Sequence, residues 1–475
     1  MAYESAAGPG PFYIFPAMHH ERAQRDRPPR DGAAALGAGD GSGMNYFLDI
    51  TRLATRIFRS GPTGIDRVEY AYAKHMIDLP QVVCMFTAPV FFGAIRNARA
   101  REILSRVERA WRLDAQADDD AVFIALRGWL DRPLDPTALK PARFSAQKGW
   151  PDWLRDADFF PLRDIVRAET RLKRRVARQD EGMYFHCSHA QLDKPERFRW
   201  LEKSGLRSTF FLHDAIPIEF PEFCSPGAFE RHVKRLATVS AHATLAIVNS
   251  QDSRRAVGAA LAGRKMRSPD IEIVPLAVDE AFARAGRQAP QRPATPYFVY
   301  VGTIEPRKNL LFLLAVWRRL IERHGERAPR LVIAGRRGWE NENIVDVLER
   351  SHQLAPFLAE ASDMTDAGLA RLMADSAGLV SPSFTEGFGL PVVECLAAGA
   401  PALISDIAAH REVGEDYAVF ADAIDGPAWV AAIEALMDEG SEFRRERVAK
   451  IKSYKPYTWA EHVARALALM EQAAP

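Results

Sequence analysis

The run from Ser381 to Pro401, SPSFTEGFGLPVVECLAAGAP, sets two carboxylates, Glu386 and Glu394, eight positions apart among apolar and small residues. It reads as a strand end, a loop and a helix opened by Pro391. Glu386 then lies on the loop and Glu394 in the first helical turn. Gly387 and Gly389 allow backbone N–H groups to approach a ligand, and the helix start adds its positive end, which together make an anion site. Carboxylates next to such a site repel phosphate unless they face something else. Sugar hydroxyls are hydrogen-bond donors that suit them. A nucleotide sugar has two hydroxyl patches, ribose and the transferred sugar, with a diphosphate between. The plainer alternative makes Glu394 a favourable charge at the helix dipole.

Two further loops begin where strands should end. GTIEPRKN runs from Gly302 to Asn309 and carries Arg307 and Lys308; AGRRGW runs from Ala334 to Trp339 and carries Gly335 and Arg336. A planar guanidinium fork beside an ammonium point charge suits the two negative groups of a diphosphate. Basic residues at a helix start oppose the dipole, so a functional reason for them outweighs a solvated helix end. Gly302, Gly335 and Arg336 are candidate donor contacts on the same grounds, since ligands of open parallel sheets collect beyond the carboxyl ends of strands.

Elements of matching period must hold these loops. MNYFLDI, QVVCMFTAP, AVFIAL, STFFLHD (208–214), ATLAIVN (243–249) and IEIVPLAV (271–278) read as strands. Helices are expected over 63–76, 226–241 and 250–262. Residues 287–296, RQAPQRPATP, have three prolines and no apolar period, the mark of a linker. After it come strands at YFVYVGT (297–303), RLVIAG (330–335), 356–360 and GLVSPS (378–383). Helices at 309–324, 341–351, 366–376 and after Pro391 separate them. This alternation predicts an α/β chain of two doubly wound, Rossmann-like domains with a cleft between. The expected units are a disordered tail 1–43, an N-terminal domain 44–286, a C-terminal domain 297–455 and a final helical segment 456–475. Met44 reads as the place where structure begins, and as a candidate natural start.

The chain has 475 residues, 47% hydrophobic, with 63 basic against 62 acidic side chains and a net charge of +1. This argues against a general nucleic-acid footprint. Four scattered cysteines without a C-x-x-C fit a reducing compartment. No apolar run approaches a membrane span, and the N-terminus lacks a signal-peptide pattern, so a cytoplasmic enzyme is expected. Three motifs carry a bland reading first. Gly37–Gly43 is a linker rather than a phosphate loop. His186-Cys187-Ser188-His189 alternates faces if it is a strand, which disfavours a metal site. Asp156-Ala157-Asp158 lies outside any strand–loop context. The basic run 163–178 has seven Lys and Arg against Asp164 and Glu169. It reads as a solvated helix, with peripheral contact to anionic lipid at the inner membrane face as the sharper alternative.

EGFGLPVVE resembles the E-x7-E motif of retaining glycosyltransferases of the GT-B architecture, particularly glycosyltransferase family 4. YVGTIEPRKNL, AGRRGW, HDAIPIEFPE, IVNSQDSRR, IVPLAVD and ISDIAAHREV are similar to further motifs of that family. GPTGIDRVEY (61–70) resembles the first loop of its bacterial polysaccharide members. The resemblance implies that Arg307 and Lys308 hold the donor diphosphate. It sets Glu386 by the transferred sugar, with Phe388 to Leu390 nearby, and Glu394 on the ribose. It brings His213 and Asp214 to the reaction centre and Gly64, Asp66 and Arg67 to the cleft. Thr303 departs from the pattern, since many members have Arg there. No metal or other cofactor is implied. The partners are a nucleotide-sugar donor, GDP-mannose first, and a glycan or lipid-linked glycan acceptor in polysaccharide synthesis. Another UDP-, dTDP- or GDP-sugar is the alternative donor, and a catalytically silent partner subunit is the alternative of another class. The resemblance also implies that the last helix crosses back to the N-terminal domain, burying Trp459.

Overall fold

The computed structural model describes residues 44–57, 59, 61–88, 91–146 and 182–473. The tail, Asp156–Asp158 and the basic run 163–178 lie outside the described residues. No described helix is long and apolar enough to cross a membrane.

Among the described residues, fourteen strands form two sheets of seven. In the first, β3 (Phe91–Ala94), β2 (Val82–Ala88), β1 (Asn45–Asp49), β5 (Gly182–His186), β6 (Arg207–Leu212), β7 (Leu245–Val248) and β8 (Asp270–Ile273) lie side by side. Only β3 is antiparallel to its neighbour. The second sheet has β14 (Val419–Ala421), β13 (Ala402–Ser405), β12 (Gly378–Ser381), β9 (Tyr297–Val301), β10 (Arg330–Ala334), β11 (Leu358–Ser362) and β4 (Ala142–Ser145), all parallel. Central strands such as β10 are buried along their whole length, which is why they read as unbroken apolar runs.

Two expectations fail in one segment. AVFIAL is not a strand; it opens the helix Ala121–Leu130, with Asp120 as its N-cap accepting from Val122 N at 2.9 Å. Val122, Phe123, Leu126 and Leu130 are buried at helical spacing, and the period over ten residues outweighs the short apolar run. Nor does this segment stay with the N-terminal domain. Its helix packs under the second sheet with Tyr297, Val299 and Val332, and β4 pairs with β11. Arg330 on β10, almost wholly buried, holds it by donating to the carbonyls of Trp129, Leu130 and Arg132 at the helix end. A buried guanidinium needs such partners, and no pattern within 121–145 reveals that they come from there.

The stretch 287–296 forms no strand or helix and is strapped to the helix Asp366–Asp375: Arg371 donates to Gln288 and Ala289, and Gln291 N to Asp375. The helix Trp459–Gln472 lies against the helix Gly64–Met76, and its His462 reaches the carbonyl of Pro275 at 2.7 Å. Trp459 is only half-buried, because it is the first residue after the Thr458 cap. Fully buried His462 takes the deep position, with the indole against its ring. One apolar cluster runs from Leu48 and Phe185 through Phe282 to Val392 and Leu396, so the sheets share a packed seam.

Candidate active site

Caps aim the loops at the carboxyl ends of both sheets. Thr63 and Asp66 form a capping box at the start of the helix Gly64–Met76, Ser250 caps Gln251–Gly263, and Thr365 caps Asp366–Asp375. In the second sheet, the loop after β12 turns into the helix Leu390–Ala397 through Gly389 at φ +97°. A side chain there would be strained and would press on His410.

Glu386 is the hub. Its carboxylate accepts from Arg307 at 2.7 Å, from Ser383 Oγ at 2.7 Å and from Lys308 Nζ. Arg307 Nε also pairs with Glu305 at 2.6 Å, and its NH1 donates to Thr385 O at 3.1 Å. Burial pushes the Glu386 carboxyl up, but Arg307 and Lys308 overcome this and hold it well below the usual range. Burial keeps Glu305 raised against the pull of Arg307. Lys308 lies against Gly302, and Gly335 backs directly onto the Gly302 carbonyl, where any side chain would collide. Arg336 pairs with Asp363.

The N-terminal wall meets the same loop. Ser250 and Ser253 donate to Gly387 O at 2.7 and 3.1 Å, and Asn249 donates to His213 O at 2.8 Å. A Cβ at Gly387 would come within 2.7 Å of His213 O and 3.0 Å of the Asp214 Cβ, so glycine is what lets the two loops touch. His213 Nε2 is 3.0 Å from the Cys187 carbonyl and must donate there, leaving Nδ1 as an acceptor. Burial pushes its pKa down to about 4, so the ring is neutral near pH 7. Asp214 accepts from Ile216 N at 3.2 Å, and Phe223 stacks on Phe384 at 5.3 Å. Phe388 is buried in the seam, and Leu390 is the first residue of its helix.

Glu394 stands in a separate niche. It is 4% exposed, and no described residue is seen to donate a hydrogen bond to its carboxyl group. Burial pushes its pKa up to about 8; Arg67 opposes this, while Asp366 and Asp279 add to it. Arg67 reaches across from the first domain and forks onto both oxygens of Asp366. Gly64 is the first residue of its helix, in open space. Asp66 holds Thr63, Arg52 and Arg56, so its carboxylate orients guanidinium groups and is not itself free.

Sequence reasoning missed His410, Ser383 and Glu305. His410 is fully buried: Nδ1 lies 3.0 Å from the Ser405 carbonyl, and Nε2 has no partner among the described residues. ISDIAAHREV contains it, but only the fold brings it beside Gly389. His186 and His189 diverge, the first toward Tyr184 and Asp49, the second toward His213 and His232. No trio of potential ligands among the described residues is arranged for a metal.

The buried carboxylate clamped by two cations thus lies next to Gly387, where the loops of the two sheets touch. Residues 295–439 match the family described as Glycosyl transferases group 1. The matched stretch runs from β9 to β14 and carries the Glu386 hub, so this part of the chain is similar to group 1 glycosyltransferases. HepE of Anabaena, solved with UDP and glucose, superposes at a TM-score of 0.55 and 13% identity, covering 90% of this chain and 100% of that one. The two-sheet architecture is thus the GT-B fold. O-antigen chain mannosyltransferase B of Escherichia coli is 32% identical over 34% of this chain and 42% of its own length. The serotype-specific mannosyltransferase WbdA of the same organism is 28% identical over 52% of this chain and 32% of its own. The chain therefore spans less than half the length of these curated relatives.

Proposed function

We propose that this glycosyltransferase moves mannose from GDP-mannose to a glycan or lipid-linked glycan acceptor, with retention of anomeric configuration. The observation that carries the reading is Glu386 held ionised between Arg307 and Lys308, beside the point where Gly387 meets His213 O. In the reaction the bond from C1 to the diphosphate oxygen breaks while the acceptor hydroxyl attacks the same face of C1. The hydroxyl proton passes to the departing diphosphate oxygen. Arg307 and Lys308 stabilise the negative charge that develops on the diphosphate, and Glu386 stabilises the positive charge on the sugar ring. Glu394 accepts the ribose hydroxyls, for which its empty hydrogen-bonding capacity is suited. Since His410 Nδ1–H serves Ser405 O, Nε2 is an acceptor and takes a hydroxyl of the bound donor. His213 and Asp214 hold the acceptor side, so catalysis rests on positioning and charge stabilisation.

The names of the O-antigen relatives support mannose and polysaccharide synthesis. The assembled hub weighs against a silent partner subunit. A thermal-shift series with GDP, UDP, dTDP and ADP tests the donor. A nucleotide at about 100 times its Kd stabilises by about 2.7 kcal/mol, and GDP is expected to give the largest shift. A larger UDP shift would move the reading to a UDP-sugar, and no shift at all would favour the silent subunit. Proton NMR of the product then reads the anomeric configuration.

A further inference from the structure

Phe220, Phe223 and Phe384, each part-buried, stand in a row across the line where the two domains meet. Phe220 and Phe223 lie 6.1 Å apart with their rings 20° from parallel, and Phe223 stacks on Phe384 at 5.3 Å and 6°. The first two belong to the segment that follows β6. Phe384 opens the hub loop two residues before Glu386, and its N–H donates to Arg307 O at 2.9 Å. The first domain therefore holds the hub loop at two points, Phe384 through Phe223 and Gly387 through Ser250 and Ser253. Glu386 lies between them.

The segment that presents Phe223 is itself fixed. Asp214 accepts from Ile216 N at 3.2 Å, Glu219 pairs with Arg255 at 2.9 Å, and Phe223 N donates to Phe220 O at 3.1 Å. The next residue sits in the field of the hub: burial pushes the Cys224 thiol up to about 11, with Asp214 and Glu305 adding and Arg307 opposing. Phenyl rings neither bind a diphosphate nor polarise a hydroxyl. What they supply beside Arg307 and Glu386 is a close-packed apolar flank, and charges act more strongly where water is kept out. We infer that the Phe220–Phe223–Phe384 stack is a water barrier at the flank of the hub, and that Phe223 makes the enzyme choose its acceptor over water. This rests on the glycosyltransferase reading and adds to it the group that sets selectivity between the two nucleophiles. Water reaching C1 would form the new C1–O bond in place of the acceptor hydroxyl. Its proton would pass to the departing diphosphate oxygen, leaving free sugar and nucleoside diphosphate. A ring that only braced Glu386 would lower turnover when removed; removing a barrier raises hydrolysis.

GDP-mannose without acceptor is the probe, given to the full chain, and the readout is the release of GDP and free mannose. Phe223→Ala is expected to raise hydrolysis about 10-fold, the scale of one lost aromatic pair, with GDP affinity by calorimetry unchanged. Phe223→Tyr keeps the stack and should hydrolyse as wild type does. Phe229→Ala removes an exposed ring from the helix Ala228–His242 and should change nothing. Adding Glu386→Gln to Phe223→Ala should abolish the gain. Hydrolysis that is unchanged or lowered in Phe223→Ala, in a protein that binds GDP, would overturn the proposal, as would a gain that survives Glu386→Gln. Hydrogen exchange tests the barrier apart from the donor. In the free chain the amides of residues 384–388 should exchange about 10-fold faster in Phe223→Ala, and equal exchange would overturn the barrier whatever the donor. If exchange responds but GDP does not bind, it is the donor reading that falls. Hydrolysis is then measured, with the same criteria, on the sugar nucleotide whose diphosphate does bind.

Discussion

Glu386, on the loop, and Glu394, the fifth residue of the helix Leu390–Ala397 and so beyond the first turn expected for it, are carboxylates in opposite electrostatic states, and each state has a measurable consequence. The folded-state pKa of Glu394 is pushed up to about 8, so between its unfolded value and about pH 8 the native protein binds more protons than the unfolded chain. Stability therefore falls as pH rises through that window, by up to about 1.4 kcal/mol per unit from this group. Glu394→Gln mimics the neutral acid. It should match wild type in denaturant melts below about pH 4 and exceed it by a margin that grows up to about pH 8; parallel curves across that window would show that the niche does not hold the acid neutral. In catalysis Glu394→Ala should raise the donor KM by about 10-fold, since a neutral acid's hydrogen bonds contribute about 0.5–1.5 kcal/mol each and the ribose offers two hydroxyls. Glu386 behaves differently because it shares Arg307 and Lys308 with the incoming diphosphate. Glu386→Gln should lower kcat by about 100-fold, while GDP binding by calorimetry stays the same or tightens, the competing charge being gone. Weaker GDP binding with kcat intact would reverse the two roles.

At the scale of elements, Asp120 shows how one side chain ties distant parts of the chain. It caps Ala121–Leu130 and also accepts from Thr365 N and Oγ1 at 2.6 and 2.8 Å, fixing the start of the helix that carries Asp366. Asp120→Ala should cost about 2–3 kcal/mol in urea melts, a lost cap plus unsatisfied buried donors; a change below about 0.5 kcal/mol would show that neither contact matters. This element also marks where sequence ceased to be legible. Strands of the β9, β10 and β12 kind announce themselves, since burial on both faces demands unbroken apolar runs, and the loops they end in carry the hub residues Arg307, Lys308 and Glu386. The destination of β4 was hidden because ARFS alternates weakly and its partner lies more than two hundred residues onward. His410 was hidden for the same reason: its significance comes from Gly389 and Ser405, and periodicity says nothing about which buried histidine lacks a partner.

Across the whole molecule, the Arg67–Asp366 fork, the serines on Gly387, and Gln251 N on Glu412 at 2.9 Å bridge the two walls of the cleft. Arg67→Ala should therefore enlarge the radius of gyration of the free protein in X-ray scattering, with saturating GDP restoring compaction; an unchanged radius would mean that the apolar seam alone sets the closure. The crossing of Ala142–Ser145 into the second sheet acts earlier still, during synthesis. A ribosome making about 5–20 residues per second completes β4 roughly 10–40 seconds before β11 exists to receive it. Through that interval Val122, Phe123, Leu126 and Leu130 have no sheet to cover them, so the nascent chain displays a sticky helix that only its own far half can mask. Ribosome-bound chains arrested between these two strands should recruit hydrophobic-binding chaperones at this helix, and chains arrested after Asp375 should release them.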